Sequence, residues 1–160
     1  MRPKKKTEDT AFPQHIPTED EAEIMWFSKT PPSLEIPWAK FSEREIQAIL
    51  KMHYKSIGFD VQWPHDEDPS HEKGIDLDCK DASGNRVILA IKKDPKTEDI
   101  VQLQELARND AKQRIYVRIK RGTQKFEDET QRLTGLVEFW DSALLEQELN
   151  KSCLTLMLLV

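Results

Sequence analysis

Two aspartates and a lysine are spaced along the chain so that they can meet on one face of a β-hairpin. Side chains alternate between the faces of a strand, so Asp76 and Asp78 share one face of a first predicted strand. Ala90 and Lys92 share one face of the next strand for the same reason. With a turn centred near residues 83–84, Asp76 falls opposite Lys92. The same register puts Asp78 opposite Ala90, to within about one residue.

Two carboxylates and one ammonium on a single patch of sheet indicate a particular chemistry. Carboxylate oxygens are suited to Mg²⁺, and a neighbouring lysine can orient a water or offset negative charge that develops on a phosphate. Cross-strand Asp–Lys pairs are also common as structural ion pairs, worth roughly 0.2–1 kcal/mol when exposed. The spacing alone therefore leaves a catalytic and a structural interpretation open.

The periodicity of apolar residues predicts the elements that position these side chains. Ser42 followed by Glu45 is a capping-box pattern, which indicates a helix that begins there and stops at Gly58. From residue 41 onward the predicted order is α-β-β-β-α-β-α-β-α, typical of an α/β fold with a mixed sheet and helices on both faces. The predicted strands cover residues 59–63, 75–80, 87–91, 115–119 and 136–140, and the later helices cover 100–107, 124–133 and 143–149.

Length and composition narrow the class of protein. The chain has 160 residues, of which 38% are hydrophobic and 33% are charged, enough for one modest core. Two cysteines, Cys79 and Cys153, form no disulfide framework, and no apolar run is long enough to span a bilayer. A cytoplasmic protein without membrane association is therefore expected. The net charge is −5, but residues 92–125 hold ten basic and five acidic side chains, which can present a positive face.

The two ends of the chain differ in composition from its middle. Residues 1–37 are rich in proline and acidic side chains, which predicts a flexible arm before a domain over residues 38–160. Residues 24–27 are an apolar island in this arm, and they either dock a partner or lie on the chain's own domain. Residues 154–160 form an apolar tail that can add an edge strand to a partner. A homodimer or a complex with another protein is therefore an expectation.

A short motif within this order of elements resembles a known superfamily. The motif consists of Gly74-Ile75-Asp76-Leu77 before the turn, Ile91-Lys92 after it, and Ile115-Tyr116-Val117 in the strand that follows the next helix. It resembles the PD-(D/E)xK nucleases, and most nearly the Mrr-type restriction endonucleases; archaeal Holliday-junction resolvases are also similar. The resemblance covers residues 41–149. It implies a restriction-endonuclease-like fold, with an αβββαβ core flanked by helices.

The resemblance also implies a metal-dependent site that hydrolyses phosphodiester bonds. Asp76 matches the metal-binding aspartate, and Lys92 matches the lysine of the (D/E)xK element. The backbone carbonyl of Ile91 matches a main-chain ligand of the metal, and Mg²⁺ or Mn²⁺ is the implied cofactor. Glu43 matches a glutamate of the first helix, in a register that is uncertain by about one turn. The alternatives at that position are Glu45 and Gln47.

The chain departs from the superfamily pattern at one position. The superfamily has Asp or Glu two residues before the lysine, or Gln in the Mrr branch, and this chain has Ala90. Alanine cannot bind a cation, so either the site is degenerate or another carboxylate substitutes. Asp78 is the first candidate substitute, and Glu98 on the following helix is the second. The alternatives are therefore a DNA endonuclease and a catalytically degenerate module that binds nucleic acid or protein.

DNA is the expected partner, and RNA stays open because nothing in the sequence resembles a base-reading element. Basic residues around the predicted site would contact backbone phosphates, and binding of this kind depends strongly on salt. The candidate phosphate contacts are Lys93, Lys96, Arg118, Lys120 and Arg121.

Overall fold

The computed structural model describes residues 36–63 and 74–152. The chain divides into two units, residues 1–35 and 36–160, and every described residue belongs to the second unit. None of the helices in the described residues combines the length and the apolar character that crossing a membrane requires.

The predicted arm, residues 1–37, lies outside the described residues except for its last two positions. Of these, Ile36 is buried in the core of the domain and packs with the residues that follow it. The apolar segments 24–27 and 154–160 also lie outside the described residues. The arm, the domain boundary and the interactions expected of both segments stay predictions.

Helices and strands follow one another in the predicted order. Three short 3-10 helices are added among the described residues, and one of them comes directly before the second α-helix. The 3-10 helices cover Trp38–Lys40, Thr97–Asp99 and Asn150–Ser152. The strands are β1 (Asp60–Gln62), β2 (Leu77–Lys80), β3 (Arg86–Lys92), β4 (Gln113–Arg118) and β5 (Glu138–Trp140), and the α-helices are α1 (Glu43–Ser56), α2 (Ile100–Arg108), α3 (Gln124–Leu133) and α4 (Ser142–Leu149).

The five strands form one mixed sheet in the order β1-β2-β3-β4-β5. The first three strands are antiparallel neighbours, and β3, β4 and β5 run parallel to one another. The predicted mixed sheet is confirmed. β3 lies at its centre, and its residues 87–91 are all buried. A strand that is buried on both faces needs apolar side chains on both, which explains its continuous apolar run.

Helices cover both faces of the sheet, and each face has its own core. One core lies between the sheet and helices α1 and α4, and it includes Leu89 and Ile91 of β3. The other lies between the sheet and helices α2 and α3, and it includes Ile88 and Ala90 of β3. Because side chains alternate along the strand, Lys92 belongs to the same face as Ala90. Ala90, where the resembled superfamily has an acid, and Lys92 therefore lie on the same face of the sheet, the one that α2 covers. We call it the α2 face.

The predicted capping box fixes the start of α1. The Ser42 hydroxyl accepts a hydrogen bond from the Glu45 N–H at 3.0 Å, and the Glu45 carboxylate accepts one from the Ser42 N–H at 2.8 Å. The box satisfies two backbone donors that a helix otherwise leaves without partners. It also makes Glu43 the first residue of α1, so that its side chain projects from the end of the helix.

Candidate active site

The observed register of the hairpin differs from the predicted one by two residues. Asp78 pairs with Ile88 and not with Ala90. The reason is the position of the turn, which is centred on Ser83, whereas the predicted pairing requires a centre one residue later. Moving the centre of a hairpin by one residue moves its pairing by two. The Asp81 carboxylate fixes the observed centre by accepting hydrogen bonds from two backbone N–H groups of the turn, each at 2.9 Å.

Asp78 is held at the turn end of the hairpin, away from Lys92. The guanidinium of Arg86 binds its carboxylate, with Nη2 at 2.7 Å from Oδ2 and Nε at 3.0 Å from Oδ1. A two-point contact of this kind is strong and geometrically specific. The predicted pairing of Asp78 with Ala90 was therefore wrong. The expectation that Asp78 binds a metal depended on that pairing, and the observed register does not support it.

Asp76 lies just before β2, beside the end of β3. Its Oδ2 accepts hydrogen bonds from the backbone N–H of Ile91 at 2.8 Å and from the Gln102 side chain at 3.4 Å. Burial raises the pKa of Asp76. The hydrogen bond from Ile91 and the charge of Lys92 reduce that rise, while the negative charge of Glu43 adds to it. A carboxylate in this position gains from any positive charge that binds beside it.

Lys92 stands among acidic side chains at the end of β3. Its Nζ lies 3.9 Å from the Glu43 Oε1 and 3.5 Å from the Asp99 Oδ1. The other oxygen of Glu43 accepts a hydrogen bond from the backbone N–H of Lys93 at 3.0 Å. The structure therefore brings together Asp76, Glu43 and Lys92, three of the residues that the sequence singled out.

The three candidates of the first helix differ in what their side chains contact. Glu45 is occupied in the capping box of the helix. The Gln47 side chain accepts a hydrogen bond from the indole N–H of Trp63 at 2.9 Å. Of the three candidates, Glu43 is the one whose carboxylate reaches the end of β3.

Asp99 is a member of this group that sequence reasoning missed. It ends the 3-10 helix before α2, and its Oδ2 accepts a hydrogen bond from the Lys96 N–H at 2.7 Å. Its neighbour Glu98, the second candidate from the sequence, is exposed. The sequence shows that Glu98 and Asp99 are adjacent acidic residues. Which of the two faces Lys92 depends on how the 3-10 helix joins α2.

Tyr116 is the second residue that the sequence did not single out as functional. It pairs with Ala90 across β3 and β4, and its side chain is fully buried. Among the described residues, its hydroxyl is a buried polar group with no hydrogen-bond partner. Burial raises the pKa of Tyr116, and the negative charges of Asp99, Asp76 and Glu43 raise it further. Burial and the charges of these carboxylates therefore both oppose ionisation of the hydroxyl.

The acidic side chains suit a cation that keeps most of its water ligands better than one whose ligands are all protein side chains. Within residues 36–63 and 74–152, no three His, Cys, Asp or Glu side chains are grouped so that they could hold a metal ion. Mg²⁺ usually keeps several waters and binds through one or two carboxylates plus substrate phosphates. Asp76 and Glu43 interact electrostatically and can supply that number. The role expected for the Ile91 carbonyl stays a prediction.

Several of the predicted phosphate contacts are already engaged. The Lys93 ammonium donates a hydrogen bond to the Ala39 carbonyl at 2.9 Å. Lys96 forms an ion pair with Asp94 at 2.6 Å, although both side chains are half exposed. Exposed ion pairs and hydrogen bonds of lysine exchange partners at small cost, so neither contact prevents binding to phosphate. The exposed candidates at the end of β4 are Lys120 and Arg121.

Arg118 has a structural contact that the charge pattern did not reveal. Its Nη1 donates to the carboxylate of Glu127, a residue of α3 that is only 4% exposed. The same carboxylate accepts a hydrogen bond from the Gly122 N–H at 2.7 Å. A buried carboxylate needs such partners, and this pairing ties the end of β4 to α3.

We expect Arg118→Met to lower the free energy of unfolding by about 3 kcal/mol, since it leaves a buried carboxylate without its main partner. Arg121→Met is the matched control, because Arg121 is 73% exposed and lies 3.9 Å from the same carboxylate. It should cost less than about 1 kcal/mol. Urea denaturation of both variants measures the difference. Equal losses would contradict the structural role of Arg118.

Comparisons with known proteins do not assign this chain to a family. No protein-family model matches the chain, and no curated protein matches it. The crystal structure of a repair endonuclease from Pyrococcus abyssi is similar over 64% of this chain and 47% of its own, with 19% identity and a TM-score of 0.41. This chain thus corresponds to less than half of that endonuclease. Similarity this distant carries no weight for function, which depends on the chain's own residues.

Proposed function

We propose that this protein is a metal-dependent DNA endonuclease of the PD-(D/E)xK type, similar to the Mrr branch. The observation that carries the proposal is the meeting of Asp76, Glu43 and Lys92 at the end of β3. These residues come from three separate segments of the chain, and the resemblance implies a role for each of them. The meeting of three residues that the resemblance singles out supports a shared role more than an isolated ion pair would.

Each residue of the group would have a separate role in hydrolysis. Asp76 and Glu43 would hold Mg²⁺ or Mn²⁺ next to the scissile phosphate. A bound cation of this kind polarises the phosphate and lowers the pKa of an attacking water. Lys92, whose side chain is 34% exposed, can orient that water or offset the charge of the transition state. Lys120 and Arg121 would contact the neighbouring backbone phosphates.

A second candidate function is a catalytically degenerate module that binds nucleic acid or a protein. Ala90 favours it, because the usual acidic or amide side chain is missing. The two acidic neighbours of Lys92 also favour it, since they can neutralise the ammonium as a purely structural ion pair. The two functions differ in their need for a cation, and this difference can be measured directly.

Nicking of supercoiled plasmid and of a branched duplex, with Mg²⁺, Mn²⁺ or EDTA, tests the proposal. We expect cleavage that EDTA abolishes and that Asp76→Asn reduces by at least about 100-fold, because a metal site supplies several kcal/mol of transition-state stabilisation. The matched variant is Asp78→Asn, which removes the same charge two residues away, where Arg86 holds it.

The outcomes separate the two functions. Cleavage that is retained in Asp78→Asn and lost in Asp76→Asn supports the endonuclease. No cleavage by the folded wild-type protein on any substrate contradicts it and favours the degenerate module. Equal loss in both variants contradicts the assignment of Asp76, because the two carboxylates do not share a site in this structure.

A further inference from the structure

Three basic side chains follow one line along the outer side of helix α1. At 3.6 residues per turn, Arg44, Lys51 and Lys55 project within about 40° of one another around the helix axis, because they are seven and four residues apart. Arg44 and Lys55 are exposed, and Lys51 is partly exposed. The residues of α1 that are buried in the core, Ile46 and Leu50 among them, belong to the opposite side of the helix. We call these three basic side chains the α1 stripe.

The acidic side chains of α1 do not neutralise the α1 stripe. Glu43 and Glu45 are the acidic residues of this helix, and both belong to its first turn, about 100° away from the stripe on either side. Glu43 accepts a backbone hydrogen bond at the end of β3, and Glu45 closes the capping box. Lys51 and Lys55 are four residues apart, a spacing at which like charges on a helix repel each other. An anionic partner would relieve this repulsion.

The indole ring of Trp63 holds two members of the α1 stripe in place. The Arg44 Cζ lies 4.6 Å and the Lys51 Nζ lies 5.0 Å from the centre of the ring. The indole N–H donates a hydrogen bond to the Gln47 Oε1 at 2.9 Å, which fixes the orientation of the ring. The face of an indole attracts cations, but the ring carries no net charge. Such a contact positions a cation and leaves its charge available to a partner, which an ion pair with a carboxylate does not.

The α1 stripe begins beside the candidate active site. Arg44 directly follows Glu43, whose carboxylate reaches the end of β3. From Arg44 to Lys55 the helix rises about 17 Å, at about 1.5 Å per residue. The phosphates of one DNA strand are spaced about 3.4 Å apart along the duplex axis, so the stripe matches the length of about five nucleotides. A line of positive charge of this length suits a line of phosphates better than a compact anion.

We propose that the α1 stripe is a second contact surface for nucleic acid, and that it binds the phosphate backbone of duplex DNA that extends from the candidate active site along α1. The inference goes beyond the proposed function, because this contact requires neither a cation nor hydrolysis. It is compatible both with an endonuclease and with a degenerate module that binds nucleic acid. An acidic protein is the alternative partner, and a competition experiment separates the two.

Fluorescence anisotropy of a labelled DNA duplex, titrated with the 160-residue chain in EDTA at several NaCl concentrations, measures binding without cleavage. We expect Lys51→Gln to reduce the steepness of log K against log salt by about 0.9, the value for one lost phosphate contact. This change corresponds to roughly 8-fold weaker binding at about 0.1 M salt, if the affinities are equal at about 1 M. The triple variant Arg44→Gln, Lys51→Gln, Lys55→Gln should reduce the steepness by about 2.7.

The matched control is Lys112→Gln, which also removes one exposed positive charge. Lys112 comes directly before Gln113, which pairs with Val87, at the end of β3 that lies away from Lys92. The control should change the steepness by less than about 0.2, because a lysine that contacts no phosphate releases no counterion on binding.

Each result supports or overturns the inference. Reduced steepness in Lys51→Gln and in the triple variant, without change in Lys112→Gln, supports it. Equal reductions in Lys51→Gln and Lys112→Gln overturn it, because they would show a general effect of net charge. Unchanged steepness in the triple variant also overturns it, and the proposed function then still depends on plasmid cleavage alone. Poly-glutamate that displaces the duplex as well as unlabelled DNA of equal total charge overturns it in favour of an acidic protein partner.

Discussion

Replacing Lys92 with methionine is expected to reduce DNA cleavage by at least about 100-fold, the loss typical of removing one charge-stabilising group from an active site. The same change should strengthen Mn²⁺ binding. Lys92 lies 3.5 Å from Asp99 and 3.9 Å from Glu43, so its ammonium repels a cation that binds at Glu43. Each of these partly exposed ion pairs is worth about 0.2–1 kcal/mol, so the loss of both corresponds to an increase in affinity of about 2- to 30-fold.

Opposite changes in binding and cleavage are what distinguish a catalytic lysine from a structural one. If Lys92 only neutralised its neighbours, its loss would leave any cleavage intact or would destabilise the fold. Lys80→Met is a suitable control, because it removes an exposed lysine at the far end of β2. Plasmid nicking and calorimetry on both variants, with circular dichroism to verify folding, measure the two effects. Retained cleavage in Lys92→Met would contradict its catalytic role.

The alternation of side chains explains why the sequence predicted much of the site despite the wrong register. A shift of two residues keeps every side chain on its own face of the sheet. Asp76 and Lys92 therefore remained on the α2 face. The capping box at Ser42 then brought Glu43 to the same edge, and it depends only on residues four positions apart at most. Local signals of this kind are fully contained in the sequence.

The parts that the sequence did not predict depend on contacts between distant segments. The 3-10 helix before α2 follows a period of three residues and α2 follows 3.6, so the pattern alone does not decide whether Glu98 or Asp99 faces Lys92. The pairing of Arg118 with Glu127 joins β4 to α3, and nothing near Arg118 in the sequence distinguishes it from an exposed basic residue. Packing between distant segments determines these contacts, and local propensity does not.

Gly74→Ala is expected to destabilise the domain by about 2–5 kcal/mol, the sum of two costs that act at this residue. Gly74 has a φ of +84°, which costs an L-residue with a side chain roughly 1–2 kcal/mol. A Cβ atom would also lie 2.9 Å from the backbone N of Leu106 and 3.0 Å from the carbonyl of Gln102, and the backbone of α2 cannot easily move away. Overpacking of this kind costs about 1–3 kcal/mol.

Gly84→Ala separates the two costs. Gly84 has a φ of +86°, almost the same as that of Gly74, but a Cβ there would meet nothing within 4 Å. Its substitution should cost only the roughly 1–2 kcal/mol of backbone strain, and urea denaturation of the two variants gives the steric cost as their difference. The close approach of Gly74 to α2 also sets the distance between Asp76 and Gln102. Gly74→Ala should therefore lower cleavage by more than its loss of folded protein explains, and equal stability of the two variants would show that the approach to α2 is not tight.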